Sequence, residues 1–269
     1  MSALEDLSRN VLYCGDGTLE GSAAYLSAVM DHFGIHFNHV PPDRSINESF
    51  GRFVRSAERS SHSLIVLSDY PAAAIDLQIQ RRIADLVAGG CGLLMIGGWS
   101  SFHGVDGYYD GTLIGELLPV EIATDDDRLN TSSPCLVVKE MDHPVIDGLP
   151  LGQPPSIAGL NRVSARKNSR KVLSAAIINT GLNERGEIVT AERERLPLLV
   201  FGSHEKGRTA AYASDVAPHW AGGFIDWGEE RIQSGSGSAK VEIGLTYATF
   251  FRNLLLWTSE PSAGDSGAL

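Results

Sequence analysis

Cysteine is scarce in this chain of 269 residues: Cys14, Cys91 and Cys135 lie far apart and form no C-x-x-C pair. An odd, scattered set argues against a disulfide framework and for reduced thiols in a cytoplasmic setting. No apolar run approaches the length of a membrane span, so no membrane partner is expected. The opening residues MSALEDLSRN carry neither a basic segment nor an apolar core, which argues against a signal peptide. Basic residues are the minority, 22 against 33 acidic, for a net charge of −11. That balance excludes a surface that tracks nucleic-acid phosphates. Glycine-rich phosphate loops are missing too: Gly15-Asp16-Gly17 is followed by neither G-x-G-x-x-G spacing nor a lysine.

What is present is ordinary for a globular chain, 43% hydrophobic and 20% charged residues. No repeat and no linker divides it, so one domain is expected over residues 1–258, with a small, polar, disordered tail at 259–269. The first half alternates strand and helix. Residues 10–13 read as a strand turned by Cys14-Gly15-Asp16-Gly17. Apolar residues at Leu19, Ala23, Leu26, Val29, Met30 and Phe33 predict a helix stopped by Gly34. A strand over 35–40 ends at Pro41-Pro42, and Ser45 with Glu48 forms a capping box for a helix over 46–59. A strand at 63–67, a helix at 72–88 and a strand at 93–96 complete a doubly wound β-α-β-α-β-α-β pattern.

The second half is less regular. Short strands at 117–121 and 135–139 flank the acidic loop Asp125-Asp126-Asp127-Arg128, read as a solvated turn. A strand at 171–178 leads to a loop over 181–187. Residues 196–201 and 208–214 flank His204-Glu205-Lys206-Gly207 as an antiparallel hairpin. Residues 215–227 read as an aromatic, glycine-rich loop, 233–238 as a mobile Gly/Ser segment and 240–257 as an apolar helix.

The stretch LVAGGCGLLMIGGWSSFHGVDGYY, 86–109, organises the rest. Its apolar run of four, bounded by glycines, suits a strand buried on both faces. Ligands in open α/β sheets bind beyond the carboxyl ends of such strands. Asp16, Asp69 and Tyr70, then Gly97, Gly98, Trp99, Ser100, Ser101, Phe102 and His103, and finally Asp215, His219 and Trp220 all fall at such ends. Any one of these is more simply a turn or cap residue, but their convergence points to a ligand site. Cys91 precedes its strand and sits at the wrong end for catalysis, as a structural thiol. Ser100 or Ser101 would need His103 or His219 in reach with a carboxylate behind it. No metal site and no cofactor is expected: His32, His36 and His39 share no face, and the acidic loop lacks calcium-loop spacing.

The segments GGCGLLMIGGWSSF, LLPVEI, DHPVIDGL and GRTAAYASDVAPHW, in this order, resemble the glutamine amidotransferase-like family, within the class I superfamily that includes ThuA-like proteins. The resemblance covers nearly the whole chain. It implies an α/β fold, a flavodoxin-like three-layer sandwich with a mostly parallel, doubly wound sheet and an added antiparallel hairpin. Relatives that hydrolyse glutamine carry a cysteine directly after the strand that here ends at Ile96. This chain has Gly97 and Gly98 there, so thioester chemistry is not expected. What the resemblance leaves is a pocket lined by Asp16, Gly97, Gly98, Trp99, Ser101, Phe102, Asp215, His219 and Trp220.

Three functions fit: a binder of a small polar molecule at the carboxyl edge of the sheet, a hydrolase or isomerase using His219 as base oriented by Asp215, and a non-catalytic assembly module. Phe102, Tyr108, Tyr109, Phe224 and Trp227 are the candidate interface rings of a homo-oligomer.

Overall fold

The computed structural model describes residues 9–57, 62–235 and 240–262. The chain opens with β1 (Arg9–Gly15), α1 (Ala23–His32), β2 (Phe37–Val40), α2 (Asn47–Ala57), β3 (His62–Ser68), α3 (Leu77–Ala88) and β4 (Gly92–Ile96). There follow α4 (Leu113–Leu117), β5 (Val120–Ile122), β6 (Arg128–Lys139), β7 (Ser156–Asn161), β8 (Val163–Ala165), β9 (Arg170–Leu182), β10 (Ile188–His204) and β11 (Gly207–Tyr212). Last come α5 (Pro218–Ala221), β12 (Arg231–Ser234), β13 (Val241–Gly244) and α6 (Leu245–Ser259).

Nine strands form one sheet in the order β2-β1-β3-β4-β11-β10-β9-β6-β7. The first five run parallel, as β1/β2, β1/β3, β3/β4 and β4/β11. The remaining neighbours, β11/β10, β10/β9, β9/β6 and β6/β7, are antiparallel. The sheet is thus mixed in equal shares, a correction to the mostly parallel sheet with one hairpin. The expected hairpin exists, turning at Glu205 and Lys206, but it opens a whole antiparallel half. The reason is connectivity: parallel neighbours need a crossover helix, and no α-helix lies between β6 and β11.

The hydrophobic pattern explains the layers. Every residue of β3 after His62 and all of β4 is buried, as expected of strands covered on both faces. α2 turns Phe50, Phe53 and Val54 toward β1 and β2. α1 is buried nearly all round because α6 and the β12–β13 hairpin lie against it. α6 packs on β3, β4 and β11, and its Tyr247, Phe250 and Phe251 meet Phe224 and Tyr212 with ring centroids 5.2 to 6.1 Å apart.

Several boundaries differ from expectation. The third helix breaks after a short turn, Ala72–Ala74, and restarts where the Asp76 carboxylate accepts from the Ile79 amide at 2.9 Å. Ser45 accepts from the Asn47 amide at 3.4 Å at the start of α2; the end expected at 59 lies outside the described residues. The apolar helix at 240–257 begins only at Leu245, because Val241–Gly244 pairs with β12. Part of the 233–238 segment expected to be mobile is β12 itself, and 236–239 lie outside the described residues. Within the expected tail, Ser259 ends α6 and the Ser262 amide donates to the Lys206 carbonyl at 2.7 Å; 263–269 lie outside the described residues.

Of the five aromatic residues expected at an interface, Phe102, Tyr109, Phe224 and Trp227 are buried within the chain itself, and only Tyr108 is exposed. Among the described residues the most exposed large apolar side chains lie elsewhere, at the outer end of the β9–β10 ribbon. Leu182, Ile188 and Val189 there are 71%, 78% and 46% exposed.

Candidate functional site

The carboxyl ends of β1, β3, β4 and β11 meet at one edge of the sheet. Asp16 follows β1 and Asp69 follows β3, both at left-handed φ (54° and 47°), a conformation that aspartate tolerates better than most residues. Asp215 follows β11 across the Ala213-Ser214 turn. Its Oδ1 accepts from the amides of Val216 and Ala217, at 2.5 and 3.1 Å, just before α5. Three acids from three strands therefore face one another.

Their electrostatics follow from that placement. Asp16 is driven well above the ordinary carboxylate range, by burial first and then by the charges of Asp215 and Asp69, while the Tyr13 hydroxyl donates to it at 2.5 Å and partly offsets the rise. Burial and the Asp69 charge push Asp215 up to about 7. Burial raises Asp69 as well, against the opposing pull of the Ser100 and Trp99 amides, the first at 2.7 Å. Like charges that share a poorly solvated space hold protons they would lose in water.

β4 ends beneath this cluster at Gly97 and Gly98, and neither position has room for a side chain. A Cβ on Gly97 would stand 2.2 Å from the Ala213 carbonyl oxygen, and one on Gly98 would stand 2.2 Å from Oδ1 of Asp69. Asn161, at the end of β7, clamps the same turn: its Oδ1 accepts from the Gly98 amide at 2.9 Å and its Nδ2 donates to the Gly98 carbonyl at 3.1 Å. Nδ2 also donates to Asp127 Oδ1 at 2.7 Å, and Asp127 accepts from the amides of His103 and Gly104 at 3.1 and 3.0 Å. The acidic loop is therefore a solvated turn only at Asp125 and Asp126; Asp127 is buried inside the clamp.

The structure separates the other expected site residues. Ser101 is buried, and its hydroxyl oxygen accepts from the Asp69 amide at 2.9 Å. His103 pairs with Asp110 at 2.8 Å and so does not act on Ser101. Phe102 is enclosed at left-handed φ. Trp220 is also fully enclosed, donating from Nε1 to the Asn130 side chain at 2.6 Å, so it is a packing residue rather than a pocket wall. Trp99 and His219 do reach the surface together, their rings edge-on with centroids 6.2 Å apart, and the Arg128 guanidinium lies 4.5 Å from the Trp99 ring. Asp215 uses its Oδ1 on backbone amides and does not orient His219. Cys91 is buried before β4 with its thiol pushed up to about 12 by burial, unsuited to nucleophilic attack. Among the described residues no group of three His, Cys, Asp or Glu side chains is arranged to hold a metal ion.

Asn161 and Asp127 are the site residues that sequence reasoning missed. The only signal was an asparagine closing the otherwise apolar run SIAGLN, and nothing local links it to Gly98, 63 residues away.

Two outcomes follow. Gly98→Cys is expected to destabilise the fold by about 2 kcal/mol or more, because its side chain must displace Asp69; urea denaturation showing wild-type stability would refute the close packing. Asp215 holds its proton up to about pH 7 when folded and to about its ordinary 3.8 when unfolded. The folded state thus binds the proton more tightly over that interval. The stabilisation is complete below the lower value and is lost as pH rises through the upper one. Thermal melts should show stability falling by a few kcal/mol across this window, with a flatter profile in Asp215→Asn; equal slopes for both proteins would contradict the assignment.

Comparison with known proteins agrees with this architecture. Residues 15–232 match the family described as "Putative glutamine amidotransferase". No curated protein matches. Among solved structures the chain is similar to Cytoplasmic Protein STM1381 from Salmonella typhimurium LT2, at 25% identity over 93% of this chain and 100% of that one, with a TM-score of 0.67. It is similar in fold to Cytoplasmic Protein STM3548 from Salmonella typhimurium, at 24% identity over 93% of this chain and 99% of that one, also with a TM-score of 0.67. With the family matched over most of its length, the chain belongs to the glutamine amidotransferase-like family.

Proposed function

We propose that this protein is a family member without glutaminase chemistry, and that it binds a small polar molecule carrying a protonated amine at the carboxyl edge of its sheet. The observation that carries the reading is the set Asp16, Asp69 and Asp215, three acids all raised by burial, with Asp69 further raising Asp215 and both of these raising Asp16. A cation among them relieves that repulsion, and Asp69, only half-buried, provides the approach. Trp99 and His219 at the surface supply an aromatic rim. The reading takes the chain as one domain, a flavodoxin-like three-layer sandwich, and as a cytoplasmic protein. Its three cysteines are free thiols, no helix among the described residues is long and apolar enough to cross a membrane, and both similar structures are of proteins named as cytoplasmic. The acid–base reading, with Asp215 orienting His219, has less support because no bond joins the two.

The test has two arms. Ammonia release from glutamine should be absent in the wild type and in Cys91→Ala alike; turnover by the wild type would overturn the non-glutaminase reading. Calorimetric titration should show glucosamine binding with proton release and glucose not binding, and Asp69→Asn should weaken glucosamine about tenfold or more. Unchanged affinity in that variant, or no binding of the amine, would move the site elsewhere.

A homo-oligomer is part of the proposal, and its support is the β9–β10 ribbon with Leu182, Ile188 and Val189 exposed. Light scattering is expected to give more than one subunit for the wild type and a smaller mass for the Leu182→Glu, Ile188→Glu double variant. A monomeric wild type removes this element.

A further inference from the structure

The opposite end of the sheet holds a cavity of about 920 Å³, at the amino ends of β4 and β11. Its volume suits a small molecule, and it is remote from the acid cluster, since Thr209 beside it pairs with Leu93 near the start of β4. The register of the antiparallel half decides which side chains meet there. Arg170 on β9 stands opposite Phe201 on β10, and Arg208 on β11 stands opposite Ser203, two residues along from Phe201. Directly paired residues share a face, as do residues two apart on a strand. Arg170, Phe201, Ser203 and Arg208 therefore project to one side of the sheet.

Over that side lies an aromatic floor. His143 stacks on Phe201 with ring centroids 4.3 Å apart at 12°, and Trp257 of α6 closes edge-on against His143 at 4.7 Å and tilted against Phe201 at 4.3 Å. Arg208 lies over Trp257 at 4.3 Å, anchored to the Trp257 carbonyl at 2.8 Å and to Glu260 at 3.1 Å. His143 Nδ1 accepts from the Val145 amide at 3.3 Å, so the neutral ring carries its proton on Nε2 as a donor. Asp142, next in the chain, is held by Lys139 at 2.6 Å. Arg166, on the cavity's other wall, is committed to the carbonyls of Leu118 and Val120.

We propose that this cavity binds the oxyanion group of a small molecule, a phosphate or a carboxylate, between Arg170, Arg208 and the His143 Nε2–H, with the rest of the ligand against the wall formed by Phe201 and Trp257. Guanidinium groups match such anions in geometry and charge. The two cations also leave their mark on His143, which burial and then Arg170 and Arg208 hold down to about 4. An anion seated between them reverses the electrostatic part of that shift.

The test follows the His143 ring by NMR across pH, with inorganic phosphate, with acetate and without either. Phosphate is expected to raise the His143 titration midpoint. In Arg170→Gln, an exposed position, the midpoint without anion should rise and the response to phosphate should disappear. A response to phosphate alone assigns a phosphate-bearing ligand, and an equal response to acetate assigns a carboxylate. If neither anion moves His143, or if Arg170→Gln keeps the full phosphate response, the site is refuted. Because the readout is His143, failure here leaves the amine site at the other end of the sheet untouched.

Discussion

The contact between Gly98 and the Asp69 carboxylate is the constraint on which the functional edge depends. β3 and β4 are neighbours, and their carboxyl ends turn so closely that Asp69 lies where a side chain on Gly98 would begin. Asn161 then fixes the turn from the far side of the sheet, satisfying both the amide and the carbonyl of Gly98. A buried backbone turn with no such partner would leave two polar groups unmet, each a loss of about 1–3 kcal/mol. The clamp is itself held by Asp127, whose charge is accommodated by two loop amides and the Asn161 amide group. The turn after β4 is therefore filled, and neither Gly97 nor Gly98 has room for a side chain.

The same closeness explains the unusual acids. Three strand ends converge because the sheet is wound that way, and each delivers an aspartate: Asp16 and Asp215 are buried, and Asp69 is half-buried beside them. Such an arrangement is unfavourable to the fold at neutral pH. The rest of the edge is ordinary: Ser101, Phe102 and Trp220 are enclosed in the loops, while Trp99 and His219 face outward.

The antiparallel half of the sheet has a separate physical character. Its strands lack covering crossover helices between them, so their register, not a strand-to-helix turn, places side chains in space. That register gathers Arg170, Phe201, Ser203 and Arg208 on one face. It also carries β9 and β10 outward until Leu182 and Ile188 have no core of their own chain to join. One sheet thus presents acids at one edge, arginines at the other and an apolar tip beyond.

By itself the sequence determined the wound half of this protein. Glycine-bounded apolar runs and 3.6-residue periodicity are local signals, and they located β1, α1, β3, α3 and β4 to within a few residues. The family motifs, the glycine pair after β4 and the position of Asp16, Asp69 and Asp215 at strand ends were legible for the same reason. What only the tertiary structure decided were relations between distant residues. Asn161 on Gly98, the burial of Asp127 within an acidic run, the enclosure of Trp220 and the strand order of the antiparallel half depend on which strands pair. Pairing across 30 to 90 residues is set by the summed packing of both faces and by backbone hydrogen bonds that every residue type can make. No short stretch of the chain encodes that sum.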